Sequence, residues 1–139
     1  MDVLVRPGDT IWYYSQVFNI PIQLIIDSNP NINTQMIMPG QQIKIPGYIT
    51  TLYTIQPNDS IWAIAQRINM SPDTILLINP SINPYQLQIG QVIVLPVRVT
   101  WRVVDGKKDY DYHAMIIDIQ LLQMIYPFLI NHSIGNSVL

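Results

Sequence analysis

The side chains in this chain that could take part in chemistry gather in one short motif, which occurs twice. Its first occurrence carries a carboxylate, a hydroxyl and an indole at Asp9, Thr10 and Trp12. The second carries the same groups at residues 59, 60 and 62. All nine acidic residues are Asp, and the chain has no Glu and no Cys. Glu-based zinc motifs, Glu acids of glycosidases and thiol nucleophiles are therefore excluded.

His113 and His132 are the remaining candidates for catalysis or metal binding. Neither has Glu or Cys in its vicinity, and no motif of the nucleophile-elbow type surrounds a serine. We expect His113 on a solvent-facing helix surface and His132 in a loop. The sequence therefore assigns no catalytic residue, no metal ligand and no cofactor to this chain.

The composition narrows the classes of partner. Charged residues make up 12% of the chain, the net charge is -2, and there is no basic run, so a nucleic-acid partner has no electrostatic support. No apolar run approaches the roughly 18 to 20 residues of a membrane span, so no membrane partner is expected. The segment 1–7 lacks the basic and apolar regions of a signal peptide. An absence of Cys leaves the redox compartment open.

The chain contains an internal repeat. Residues 5–46 align with 55–96 at a constant offset of 50, and fifteen of the 42 aligned positions are identical. Units this small lie near the lower size limit for independent folding. Their repetition favours multivalent binding, because linking two weak sites raises their effective concentration. The predicted domains are 1–47 and 53–96, joined by a short linker at 48–52 and followed by a third segment at 97–139.

Each copy has the pattern of a strand, two helices and a second strand. The first strand is predicted at 3–5 and 53–55, the second helix at 22–28 and 72–78, and the last strand at 42–45 and 92–95. Asp9 or Thr10, and their equivalents Asp59 or Ser60, are candidate N-caps of the first helix. The predicted fold class is α+β, with two βααβ modules whose strands pair antiparallel and whose helices share one face. The predicted core positions of the helices are Ile11, Tyr14, Ser15, Phe18, Ile25 and Ile26, and Ile61, Ile64, Ala65, Ile68, Ile75 and Leu76.

Several ordered motifs carry a family resemblance. Residues 7–12, 29–33 and 39–46 contain P-G-D-T-I-W, N-P-N-I-N and P-G-Q-Q-I-K-I-P, and the second copy contains close equivalents. This set resembles the LysM domain family, twice. The resemblance implies binding of N-acetylglucosamine-containing glycans, namely peptidoglycan or chitooligosaccharides. It places the ligand in a shallow groove between the strand-to-helix turn and the loop after the second helix.

The resemblance implies glycan-contacting residues in both copies. Turn amides would bond the acetamido group, and short apolar side chains would receive its methyl group. Asn58 replaces the Gly that is usual at its turn, so the first site is expected to be the stronger. The residues of the first copy are Gly8, Asp9, Thr10, Ile11, Pro30, Asn31 and Ile32, and those of the second are Asn58, Asp59, Ser60, Ile61, Pro80, Ser81 and Ile82.

Some of these residues have a purely structural interpretation. The Asp, Thr and Ser of the turns could serve mainly as helix caps. Asn29 and Asn79 are predicted to anchor loops by bonding nearby backbone. Trp12 and Trp62 could stack on a sugar ring or pack as a lid over the helix, and the sequence leaves both interpretations open.

The last forty residues depart from the repeat. Residues 98–104 predict a strand, 105–108 a turn and 111–126 a helix. Residues 110–139 resemble the opening helix and first strand of zinc carboxypeptidase-type catalytic domains, whose zinc ligands come further along. Together with two LysM modules this is similar to bacterial γ-D-glutamyl-L-diamino acid endopeptidases, which cut peptidoglycan stem peptides and are associated with sporulation.

That resemblance implies that the chain is the targeting part of such an enzyme, with zinc in a catalytic domain beyond it. The expected location is the bacterial cytoplasm or the spore, with action at the cell wall or spore cortex. An alternative is a protein-interaction or autoregulatory role, in which the modules dock on a partner in spore assembly or on their own catalytic domain.

Overall fold

The computed structural model describes residues 1–99 and, beyond them, the backbone of 101–104, 107–110 and 129–130. The chain divides into two compact units. Unit 1 comprises Met1–Pro46 and Ile61–Ile82, and unit 2 comprises Gly47–Ser60 and Asn83–Leu139. The second sequence copy therefore contributes its helices to unit 1 and its strands to unit 2.

Unit 1 holds two strands and four helices. In chain order these are β1 (Asp2–Leu4), α1 (Ile11–Phe18), α2 (Ile22–Ser28), β2 (Gln42–Lys44), α3 (Ile61–Arg67) and α4 (Pro72–Ile78). Strands β1 and β2 pair antiparallel, with Val3 opposite Ile43, and both of these side chains are buried. The antiparallel pairing and the bounds of the second helix of each copy are as predicted.

Short polar residues define where these helices begin and end. Thr10 is the N-cap of α1, because its hydroxyl accepts a hydrogen bond from the amide of Tyr13 at 3.0 Å. The helix ends at Asn19, which adopts a left-handed φ of 52°. Ser71 caps α4 in the same way, with Pro72 at the first helical position, where its missing N–H costs nothing.

The helices bury most of the predicted core positions. The stripe Ile11, Tyr14, Ser15 and Phe18 is buried, as predicted. The predictions for Ile26, Ile68 and Leu76 were wrong, since all three are only half-buried. In α4 the buried face is formed by Thr74, Ile75 and Leu77. Because successive helical residues are about 100° apart, Leu76 lies on the side roughly opposite Thr74.

The strands described in unit 2 pair antiparallel. They are β3 (Tyr48–Thr54), β4 (Val92–Arg98), β5 (Trp101–Val104), β6 (Lys107–Tyr110) and β7 (Leu129–Ile130). Strand β3 lies between β4 and β7, and β5 pairs antiparallel with β6. The segment predicted as a linker, 48–52, forms the first part of β3, because its aromatic and β-branched residues suit a strand and pair with 94–98.

The strands beyond residue 95 also differ from the prediction. Strand β4 continues through Pro96 to Arg98. Proline is tolerated there because β4 lies at the edge of the three-stranded sheet that the described residues form. The single strand predicted at 98–104 is instead divided between β4 and β5, and Lys107 and Lys108, predicted in a turn, begin β6.

The structure confirms a mixed α+β fold with antiparallel strand pairs. The predicted helix at 111–126 and the two histidines, His113 and His132, lie outside the described residues, as does the predicted strand near the C-terminus. Among the residues that the structure describes, no helix has both the length and the apolar character needed to cross a membrane.

Candidate functional site

The turn between β1 and α1 has a backbone shape that depends on a left-handed residue. Gly8 has a φ of +86°, and a Cβ atom placed on it would meet nothing within 4 Å. Glycine is therefore favoured here by its conformation and not by crowding. The equivalent Asn58 has a φ of +69°, in the region that Asn adopts more readily than other side chains. The substitution noted in the sequence thus preserves the left-handed conformation of the second turn.

Asp9 is held inside its own turn. Its Oδ2 atom accepts hydrogen bonds from the Arg6 amide at 3.0 Å and from the Tyr14 hydroxyl at 2.8 Å. The Arg6 guanidinium adds bonds of 3.1 and 3.2 Å. Of the two candidate caps of α1, Thr10 is the cap, and the prediction of Asp9 as an alternative cap was wrong because its carboxylate is already used within the turn.

The second copy holds its carboxylate with a tyrosine from a different element. Asp59 Oδ2 accepts from the Gln56 amide at 2.8 Å and from the Tyr53 hydroxyl at 2.5 Å. Tyr53 lies on a strand, at the position that Val3 occupies in the first copy, whereas Tyr14 lies on a helix. Both turns therefore keep the same pair of bonds to the carboxylate, a backbone amide and a tyrosine hydroxyl, although the side chains that supply them have changed.

The surroundings of Asp9 keep it ionised. Its burial favours the neutral form, but the hydrogen bonds from Arg6 and Tyr14 outweigh burial and lower the pKa of Asp9 below its usual value. Burial, followed by the bond to Asp9, raises the pKa of the Tyr14 hydroxyl. A carboxylate that is ionised and already hydrogen-bonded is poorly placed to act as a general acid or base. Its role is to fix the turn.

The loop after α2 is anchored by Asn29. The side-chain amide donates to the carbonyls of Ile25 at 2.7 Å and Lys44 at 2.9 Å, and its Oδ1 accepts from the Lys44 amide at 2.8 Å. The Asn29 carbonyl accepts from Ile32 at 3.2 Å. Asn29 thus ties the end of α2 to β2, which confirms its prediction as a loop anchor.

The second copy repeats part of this arrangement within unit 1. The Asn79 side chain donates to the Ile75 carbonyl at 2.8 Å, and its own carbonyl accepts from Ile82 at 3.1 Å. Asn79 is buried. These bonds confirm it as the anchor of its loop.

The predicted contact residues differ in exposure. Gly8 and Thr10 of the first turn are exposed, as are Pro30, Asn31, Asn58, Pro80 and Ser81, while Asp9, Ile32, Asp59, Ser60 and Ile82 are half-buried. Ile11 and Ile61 are only 3% and 0% exposed, so their side chains lie in the core. Only the backbone of these two isoleucines can face a ligand. The glycan-contacting role of the whole set stays a prediction.

Both tryptophans are exposed, Trp12 more than Trp62. Trp12 is 63% exposed and Trp62 is 47% exposed. A ring packed as a lid over its helix would be covered, so the exposure of Trp12 favours the stacking interpretation that the sequence left open. Each tryptophan is the second residue of its helix, Trp12 in α1 and Trp62 in α3.

A group of charged residues and one tyrosine, which the sequence did not predict, joins the two copies within unit 1. The Arg6 guanidinium donates from Nη1 and Nη2 to the two oxygens of Asp73, at 2.8 Å each, and Tyr13 donates its hydroxyl to the same carboxylate. We call Arg6, Asp9, Tyr13 and Asp73 the Arg6 cluster. The signal that could have identified it is divergence, because three of its four members differ from their equivalents in the other copy.

No metal site is evident in the described part of the chain, where no group of three or more His, Cys, Asp or Glu side chains could hold an ion. The exposed groups of the first turn are the backbone of Gly8 and the hydroxyl of Thr10, and the exposed Trp12 follows two residues later in the sequence. Such groups suit the binding of an uncharged polar ligand.

Comparison with known proteins identifies the repeated unit. The sequence model of the LysM domain matches residues 3–46 and 53–96. Over all of its 139 residues the chain is 70% identical to γ-D-glutamyl-L-diamino acid endopeptidase 1 of Lysinibacillus sphaericus, and it spans 35% of that protein's length. LysM domains are modules that bind peptidoglycan or chitin.

Two solved structures are also similar. The LysM domain of a Volvox carteri chitinase has 53% sequence identity and a TM-score of 0.31, and the match covers 32% of this chain and 92% of that one. The spore cortex-lytic enzyme SleL of Bacillus megaterium QM B1551 has 29% identity and a TM-score of 0.34, and the match covers 68% of this chain and 22% of that one. The family assignment rests on the sequence match and not on these superpositions.

Proposed function

The chain belongs to the LysM domain family, and on that premise we propose that its two copies bind N-acetylglucosamine-containing glycan chains. The ligand is peptidoglycan or a chitooligosaccharide. The observation that carries the proposal is the duplicated turn. Gly8 and Asn58 share a left-handed φ, and Asp9 and Asp59 each accept from a backbone amide and a tyrosine hydroxyl, although the supporting tyrosines come from different elements. A shape kept by two different sets of residues is expected where the shape itself serves binding.

The chemistry of the first turn suits a neutral sugar. The one carboxylate of the turn, Asp9, is already bonded to Arg6 and Tyr14. What remains for a ligand are the exposed backbone at Gly8 and the hydroxyl-bearing Thr10, and the exposed indole of Trp12 follows two residues further along the chain. Backbone amides can bond the acetamido carbonyl, and an exposed indole can cover a sugar face. Binding by such groups depends little on salt, since no ion pair forms with the ligand.

Two linked sites increase the strength of attachment. Each site offers a small contact area, so its own affinity is low. Linking it to a second site turns the second binding event into an intramolecular one, and the combined affinity can exceed either by about a hundredfold or more. A repetitive polymer such as peptidoglycan presents the many identical epitopes that this arrangement requires.

We also propose that the chain serves to bring a cell-wall endopeptidase to its substrate. The support is the identity over the full 139 residues to a γ-D-glutamyl-L-diamino acid endopeptidase, of which the chain spans 35%. In this proposal the catalytic domain of such a protein, with a zinc ion, cleaves the stem peptide, while the LysM copies hold the glycan. The site of action is the cell wall or the spore cortex.

Co-sedimentation of the 139-residue chain with insoluble peptidoglycan and with chitin tests the proposal. We expect the chain to pellet with at least one of them to the same extent at low and high salt. Soluble N-acetylglucosamine oligomers should release it, whereas glucose oligomers, which lack the acetamido group, should not. A chain that stays in the supernatant with both polymers, or that is released by salt alone, would contradict glycan binding and favour the protein-interaction alternative.

A further inference from the structure

The Arg6 cluster connects a glycan-binding turn of the first copy to a helix of the second. Arg6 lies three residues before Asp9, and its guanidinium bonds both the Asp9 carboxylate and the Asp73 carboxylate. Asp73 lies in the first turn of α4, where its amide donates to the capping Ser71. All of these residues belong to unit 1. One guanidinium is therefore shared between two carboxylates that are 64 residues apart in the sequence.

The geometry of the Arg6–Asp73 pair is that of a strong contact. Two parallel N–H···O bonds of 2.8 Å match the planar fork of the guanidinium to the two carboxylate oxygens. Tyr13 donates a further hydrogen bond to Asp73, and the pair is only partly exposed. An isolated surface ion pair contributes little, whereas a bidentate pair embedded in a network fixes the positions of its members.

The second copy shows that the turn itself does not need this arginine. Gln56 stands at the position of Arg6, and its amide still donates to Asp59 at 2.8 Å, as the Arg6 amide does to Asp9. Ala63 stands at the position of Tyr13 and Gln23 at that of Asp73. The first copy thus supplies the donors, Arg6 and Tyr13, and the second copy supplies the acceptor, Asp73. Neither copy repeats its own contribution at the equivalent position of the other. The hydrogen bonds from Arg6 and Tyr13 to Asp73 join the two copies.

We propose that Asp73 of the second LysM copy is a positioning residue for the glycan-binding turn of the first copy, acting through Arg6. The inference rests on the proposed function. Asp9 lies between Gly8 and Thr10, and its Oδ2 accepts from both the backbone and the guanidinium of Arg6. Because Asp73 orients that guanidinium, it also restrains the carboxylate that shapes the turn. The affinity of the first site then depends on the second copy even when only the first site is occupied.

This coupling differs from multivalency. Multivalency raises the combined affinity without changing the intrinsic affinity of either site. The Arg6 cluster changes the intrinsic affinity of one site only, since Gln56 does not reproduce the connection in the other. Linkage also requires reciprocity: if Asp73 strengthens glycan binding at the first turn, the glycan must strengthen the Arg6–Asp73 contact by the same factor.

The test uses NMR titration of the 139-residue chain with an N-acetylglucosamine oligomer, with affinities taken separately from the amides of residues 8–11 and 58–61. Asp73→Asn keeps the shape of the side chain and removes its charge. We expect it to weaken the first site by about threefold or more, which is about 0.7 kcal/mol, and to leave the second site unchanged. Asp2→Asn, at an exposed strand position of the same unit, removes the same charge and should change neither site.

A second variant guards against a folding defect. Arg6→Gln introduces the residue that the second copy carries at this position, so the turn should stay intact, and it should weaken the first site to the same degree. The double variant Arg6→Gln, Asp73→Asn should bind no more weakly than Arg6→Gln alone, because both changes remove one contact. Wild-type affinity at the first site in both single variants would overturn the inference.

A direct readout of the Asp73 carboxylate separates positioning from a merely structural contact. Among the described residues Arg6 and Tyr13 bond the Asp73 carboxylate, and the Tyr14 hydroxyl lies close enough to feel its charge. The carboxyl ¹³C signal of Asp73 reports its protonation. Glycan binding should lower the pKa of Asp73 further, as reciprocity requires. An unchanged pKa at saturating glycan would also overturn the inference. If wild-type chain showed no amide shifts at all, the proposed function would fail first, and the two failures are thus distinguishable.

Discussion

Asn29 offers the sharpest test of how the structure supports the first candidate site. This buried side chain makes three hydrogen bonds, two of which cross to Lys44 on β2 and one of which returns to Ile25 on α2. The loop that carries Pro30 and Asn31 follows directly. Replacing Asn29 by Ala removes all three bonds without adding bulk. We expect unit 1 to lose stability and the loop to lose its fixed base.

The magnitude follows from the number and the surroundings of these bonds. Each hydrogen bond contributes about 1 kcal/mol net, which gives about 3 kcal/mol for the three. Lys44 is exposed, so water can reach its backbone and replace part of the two lost bonds. The bond to the Ile25 carbonyl is buried. We therefore expect Asn29→Ala to lower the free energy of unfolding by about 2 kcal/mol. The matched control is Ser28→Ala, which removes one hydroxyl bond to the Leu24 carbonyl and should stay within about 0.5 kcal/mol of wild type.

Urea unfolding followed through the amide signals of β1 and β2 measures this loss in unit 1. A loss below about 0.5 kcal/mol for Asn29→Ala, equal to that of Ser28→Ala, would refute the reasoning. Asn29→Asp extends the test to pH. Its second oxygen would face two carbonyls, which raises the pKa of the new carboxyl above its unfolded value. The penalty should therefore be fully present above the folded pKa and should diminish as pH falls through it, because the protonated acid can donate again.

Three further predictions concern the first turn, the Arg6 cluster and Trp12. Gly8→Ala should lower the free energy of unfolding by about 1 kcal/mol, because Gly8 has a left-handed φ. Gly8→Asn should lower it less, since Asn58 adopts that conformation in the second copy. Urea unfolding of both variants measures the difference. Hydrogen bonds lower the pKa of Asp9 and Asp73, so the two ionised carboxylates stabilise the folded state above about pH 4. This stabilisation is lost as pH falls through the folded pKa values. In acid unfolding, Asp73→Asn should therefore lose less free energy of unfolding than the wild type. Trp12→Ala should weaken glycan binding in co-sedimentation but change the free energy of unfolding by less than about 0.5 kcal/mol, because the ring is exposed; unchanged binding would contradict stacking.

Local signals in the sequence were sufficient for most of the framework. The second helices begin and end where the patterns predict, because Pro30 and Pro80 follow their final turns and the apolar spacing is helical. Asn29 was identifiable as an anchor because an asparagine at a helix end readily bonds backbone. Gly8 marked a turn that needs a left-handed residue.

The errors came from tertiary context. Leu76 and Leu77 are adjacent leucines in α4, so the sequence does not distinguish them. Packing places Leu77 in the core instead of the predicted Leu76. The extension of β3 back to Tyr48 depends on pairing with residues more than forty positions away. A segment that is short and between two repeats resembles a linker in sequence, although its residues also suit a strand.

The Arg6 cluster could not be predicted from spacing. Arg6 and Asp73 are 67 residues apart, and no local pattern pairs them. Alignment of the two copies does, however, show an arginine and a tyrosine in one copy and an aspartate in the other where the counterparts are neutral. Positions at which repeats diverge in charge are thus useful candidates for contacts between repeats, whereas the positions they share report the fold and the proposed binding turn.

The most direct test of the central claim is an NMR titration of the 139-residue chain with N-acetylglucosamine oligomers of increasing length. Glycan binding by the duplicated turn predicts amide shifts at residues 8–11 and 31–32 and at their equivalents 58–61 and 81–82, with affinity that increases with oligomer length. The turns should respond more than the strands and the helix ends remote from them. An absence of shifts at millimolar oligomer, or shifts confined to residues outside both turns and their loops, would contradict the account.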